Sequence, residues 1–175
     1  MNLYDTIFEV IDMRSFSNLW YWIALAVVWS TASHFVLGVP FDLILRAKRQ
    51  GGEAAADMLD LVRINVHRIM YITGVSGLWI AGIGSAVLSG LGILGFFYRV
   101  EFAQAVFLLA FPMTLVGLLS LRTATRIYTV DLDEEGLYNT LRRHRFFTQL
   151  IGMLSILITA MWGMYQNLNI GPFGS

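Results

Sequence analysis

Hydrophobic positions along this chain gather into four long runs separated by short polar or glycine-rich breaks. The runs, roughly 19–39, 69–89, 102–121 and 146–166, each have about 20 residues, the length that crosses a bilayer's hydrocarbon core as a helix. No residue in their central parts is charged. The pattern predicts an all-α membrane protein. Its single membrane domain, over residues 1–175, would hold four transmembrane helices in an up-down bundle.

The breaks carry their own signals. Over residues 2–13, Leu3, Ile7, Val10 and Ile11 fall at helical spacing against Asp5, Glu9 and Asp12. This predicts a short amphipathic N-terminal helix lying on the membrane surface. Its acidic face suits a protein partner better than an anionic headgroup. "SFSN" (15–18) reads as a break and an N-cap. Trp20, Tyr21 and Trp22 form an aromatic belt where the first run begins, and Pro40 marks its far end. "RAKRQGG" reads as a basic turn. From Glu53 a glycine-free, alanine-rich stretch predicts a helix that continues into the second run, with residues 53–68 projecting as a cytoplasmic stem. "GLGILGFFYRVE" (90–101) is a turn. Pro112 should kink the third span. "DLDEEGL" opens a helix leading into the fourth.

Composition agrees with this picture. The chain is 57% hydrophobic and 14% charged, against about 25% charged in soluble domains, and its mean hydropathy is +0.64. The formal net charge of zero hides an asymmetry. Ten of the twelve Lys and Arg lie in the first and third connections. The positive-inside rule places those connections in the cytoplasm and both termini outside, N-out/C-out. The N-terminal segment is acidic where a signal peptide is basic, so it is expected to remain as part of the protein.

Candidate chemistry is sparse. There is no cysteine, which excludes disulfides, thiolate metal sites and cysteine nucleophiles. Gly74, Ala81, Ser85 and Ser89 in the second span, and Gly152, Ser155, Thr159 and Gly163 in the fourth, recur at three- and four-residue steps. Small residues at that spacing let membrane helices approach closely, so both rows are expected to face protein. Arg63, Arg68, Arg122, Arg126, Arg142, Arg143 and Arg145 form a basic belt at the inner face. The belt could hold an anionic lipid headgroup or an acidic partner. The three histidines, His34, His67 and His144, all fall near that same face. They are a possible metal set, since neutral imidazole ligates zinc, copper and iron. The neighbouring arginines oppose cation binding, and a bis-histidine haem wants two histidines inside the bundle, where only His34 could reach. No cofactor is therefore expected, with metal or haem as the lesser alternative. Glu101 and Gln104 open the third span at the outer face. No nucleophile–base pair, phosphate-cradling glycine loop or zincin motif is present, so a catalytic role is not expected.

"IDMRSFSNLWYWIALAVVWSTASHFVLGVPFD", "DLVRINVHRIMYI" and "VEFAQAVFLLAFPMTLVGLLSLRTATRIY" resemble a small family of polytopic membrane proteins from alphaproteobacteria. The resemblance covers most of the chain. Members of the family often carry the label "component of the Suf iron–sulfur assembly complex". It implies a multi-pass protein of the bacterial inner membrane and a partner relationship, and brings no catalytic motif or site residue. The residues themselves point to an accessory or assembly subunit of a larger membrane complex. Its partners would be other integral membrane subunits and cytoplasmic-side anionic lipids, with no nucleic acid. The alternatives are a small oligomeric transporter or channel, with a path near Glu101, Gln104 and Pro112, and a redox protein using the histidines.

Overall fold

The computed structural model describes Phe16, residues 18–130 and residues 132–169. The helix expected over 2–13 lies outside the described residues. Among the described residues there are five α-helices: α1 Leu19–His34, α2 Phe41–Gln50, α3 Gly52–Gly92, α4 Glu101–Thr129 and α5 Glu134–Asn169. A minimal hairpin, β1 Phe35–Val36 and β2 Val39–Pro40, joins α1 to α2. The helices α3, α4 and α5 are long and apolar enough to cross a membrane.

The first run departs from expectation. Asn18 caps α1 as anticipated, its Oδ1 accepting the N–H of Trp20 at 3.0 Å. The helix stops at His34, short of residue 39, and has 16 residues. At 1.5 Å per residue it is about 24 Å long, less than the ~30 Å hydrocarbon core. The cause is local. Leu37 and Gly38 both take positive φ, 53° and 78°, the conformation of a tight hairpin turn that matches the strands' twist. Gly38 is also crowded, since a Cβ there would meet the Asn65 amide at 3.2 Å. The basic segment after Pro40 is likewise helical. Only Gly51, with φ of 61°, breaks the chain between α2 and α3.

The helix from residue 52 does run unbroken through the second span, but its first turns do not project as a stem. Ala55, Met58, Val62 and Val66 are buried against Ile44 and Ala47 of α2 and Leu137 and Leu141 of α5. Val36, Leu37 and Val39 of the hairpin complete this cluster. Their three- and four-residue spacing on α3 makes one apolar stripe, and a stripe in contact with water must be covered.

Successive long helices run antiparallel. Gln104, Leu108 and Ser120 of α4 touch Trp162, Ser155 and His144 of α5 in turn, descending one helix while climbing the other. On its other side α4 meets α3, with Met70 beside Thr125 and Gly92 beside Phe107. Between α3 and α4 the chain turns through a π-helical stretch, Ile93–Phe97. A second apolar cluster seats Leu25 and Trp29 of α1 against Val116 of α4 and Ile151 of α5.

Pro112 lies inside α4, which continues through it. Proline has no N–H to give the carbonyl four residues back, here that of Leu108. The Ser155 hydroxyl on α5 donates to that carbonyl at 3.5 Å. A backbone acceptor freed inside an apolar medium needs such a donor.

Candidate functional site

Polar side chains gather at both ends of the bundle and along the α4–α5 seam. At the end where α4 begins, Gln104 is a buried hub. Its Nε2 donates to the Gly95 carbonyl at 2.8 Å, and its Oε1 accepts from Trp162 Nε1 at 3.0 Å and from Gln166 Nε2. The turn and α4 approach closely here, since a Cβ on Gly95 would stand 2.9 Å from the Gln104 backbone nitrogen. Glu101 Oε1 accepts the N–H of Phe16 at 2.8 Å, and the Tyr21 hydroxyl donates to the Ala105 carbonyl at 3.1 Å. Gln104 therefore ties the turn to α5, while Glu101 holds Phe16 just before α1 and Tyr21 ties α1 to α4.

The two rows of small residues have different fates. Gly152, Ser155, Thr159 and Gly163 are all buried. Trp29 lies so close to Gly152 that a Cβ there would stand 2.8 Å from the indole Cε3, and Phe16 covers Gly163. Gly74, Ala81, Ser85 and Ser89 are all exposed. No other part of the described chain covers this second row. The half-buried row of α3 is a neighbouring one, including Thr73, Gly77, Gly84 and Leu88. In its most apolar stretch α3 is only 6% buried, against 28% for α4 and for α5.

The histidines sit at the same end of the molecule but in three separate surroundings. His34 is exposed, with Nε2 3.9 Å from Asp42. His67 meets the Tyr128 ring edge-on, 5.4 Å between centroids. His144 is buried, its Nε2 3.0 Å from the Ser120 hydroxyl. The structure does not bring them together as a ligand set, and no group of three candidate metal ligands occurs among the described residues.

The basic belt also divides. Arg122, Arg126 and Arg143 line a cleft of about 470 Å³ between α4 and α5, with His144 also in its wall. Arg142 and Arg145 line a second cleft, of about 320 Å³, beside α2. There the Arg145 guanidinium lies 3.6 Å from the centre of the Phe41 ring, a cation–π contact. Arg63 lines a third cleft with His67, and pairs with Asp60 at 3.3 Å. Arg68 is exposed.

No family model, curated protein or solved structure matches this chain. The assignment of function therefore rests on its own residues.

Sequence reasoning missed Ser120 and Asn139. Each becomes notable only once the antiparallel register sets Ser120 against His144 and turns Asn139 into the arginine cleft. It also missed Trp29 as the partner of Gly152, although a tryptophan in mid-run opposite a row of small residues is a usable signal.

Proposed function

We propose that this chain is a four-span, multi-pass protein of the bacterial inner membrane, N-out/C-out, acting as an accessory or assembly subunit of a larger membrane complex. One observation carries the association reading. Of the two rows of small residues, the one on α5 is used inside the bundle and the one on α3 is left open. Leucine, isoleucine and valine are sufficient for a helix face that meets only lipid. Gly74, Ala81, Ser85 and Ser89 make a shallow track on which a second helix can lie closely.

The fourth span is α1. Its Leu25 and Trp29 pack at the level of Leu109, Met113 and Ile151, in the apolar stretches of α4 and α5. A helix seated there shares their depth. Its shortness is compatible with spanning, because local bilayer thinning and flanking aromatic residues accommodate a few ångströms of mismatch. The orientation follows from the ten basic residues at the hairpin end.

The test is purification from native membranes in mild detergent. Integral subunits in constant ratio, with no Soret band, support the reading. Isolation of the chain alone together with ion flux in liposomes overturns it in favour of a carrier. A Soret band or stoichiometric metal overturns it in favour of a redox protein.

A further inference from the structure

The cleft between α4 and α5 has a polar inventory that can be counted. Arg122 and Arg126 lie one turn apart on α4, and Arg143 faces them from α5. None of the lining residues is acidic, so no lining carboxylate neutralises the three guanidinium groups. They are donors only.

Asn139 can both give and accept, and the rest of the polar lining is biased the other way. The Thr123 hydroxyl gives its hydrogen to the Leu119 carbonyl at 2.8 Å, and the Thr140 hydroxyl gives its own to Gly136 at 2.8 Å. Each oxygen is left with acceptor capacity alone. Ser120 gives its hydrogen to the Val116 carbonyl at 2.9 Å. His144 Nε2, 3.0 Å from that same oxygen, must then be the donor, and Nδ1 carries the lone pair of the neutral ring. Nδ1 is buried without a protein partner among the described residues.

We propose that this cleft binds the headgroup of a hydroxylated anionic phospholipid, a glycerol phosphodiester such as phosphatidylglycerol. The phosphodiester accepts from the arginine forks. The glycerol hydroxyls donate to the Thr123 and Thr140 oxygens. An ethanolamine or choline headgroup would set a cation among three guanidinium groups. A lipid fits better than a soluble phosphate because the lining changes along the membrane normal. Leu119 and Phe147 lie one turn toward the apolar stretches from Arg122 and Arg143, and Leu118, Phe146 and Leu150 continue outward as exposed apolar surface. This inference rests on the membrane reading above.

Native mass spectrometry of the detergent-solubilised chain tests it, with phosphatidylglycerol, phosphatidylserine, phosphatidylcholine and soluble glycerol phosphate as probes. Phosphatidylglycerol should bind more tightly than phosphatidylcholine by on the order of a hundredfold, as three interfacial arginines supply, and more tightly than phosphatidylserine. Arg122→Gln/Arg126→Gln/Arg143→Gln should abolish the preference. The same substitutions to Lys keep the charge and should still weaken it, because an ammonium lacks the planar fork. Arg46→Gln/Lys48→Gln/Arg49→Gln, with equal charge loss outside the cleft, should leave it intact. Equal loss in that control, equal binding of phosphatidylserine, or displacement by glycerol phosphate at matched concentration would overturn the proposal. Alkaline extraction of native membranes separates the two readings. A chain released by carbonate refutes the membrane reading, whereas a retained chain without lipid preference refutes only the cleft.

Discussion

The indole of Trp29 on α1 lies against Gly152 on α5, at a distance that leaves no room for a Cβ. This contact anchors α1 to the bundle. It also opposes a simple rule, since Gly→Ala in a helix interior ordinarily stabilises by about 1 kcal/mol.

Gly152→Ala is therefore expected to destabilise, by about 1–3 kcal/mol, the usual range for overpacking a fitted interface. Thermal unfolding in detergent measures the sign. Trp29→Leu should remove most of the penalty in the double variant. A neutral or stabilising Gly152→Ala would mean that α1 does not sit where it is described.

Gln104 gives a second prediction. Gln104→Leu strands the Gly95 carbonyl and the N–H groups of Trp162 and Gln166, each bound to Gln104. Leaving a buried polar group without a partner costs about 1–3 kcal/mol. The loss should appear in the same unfolding assay. Trp162→Phe removes only one of these donors and should cost less.

Much of the architecture was legible in the residues. Hydrophobic runs of spanning length set α3, α4 and α5 nearly where they lie, and Asn18 does cap α1. The end of α1 was not legible, because "FVLGVP" is as apolar as the helix before it. Only the positive φ of Leu37 and Gly38 turns it into a hairpin. The stripe Ala55, Met58, Val62 and Val66 is readable by period, but its partners, Ile44 and Ala47 before it and Leu137 and Leu141 far beyond it, are set only by the assembled bundle. The two small rows looked equivalent. Their difference depends on which neighbour each helix has, and that is a property of the assembled bundle.

Orientation can be checked with single cysteines, since the chain has none of its own. Gln50 and Tyr98 are both exposed, at opposite ends of α3. In intact cells a membrane-impermeant maleimide should label Tyr98→Cys and spare Gln50→Cys. After permeabilisation both should react. The opposite pattern would reverse the orientation.

The central claim is that another membrane helix covers the open row of α3. The most direct measurement is photo- or thiol-crosslinking in native membranes from single-cysteine variants. Ser85→Cys should give a discrete adduct of higher mass containing a second membrane subunit. Ile156→Cys, on an exposed and larger-residue face of α5, should give none. A Ser85→Cys variant that reacts only with lipid-borne probes, and never with protein, would contradict the account.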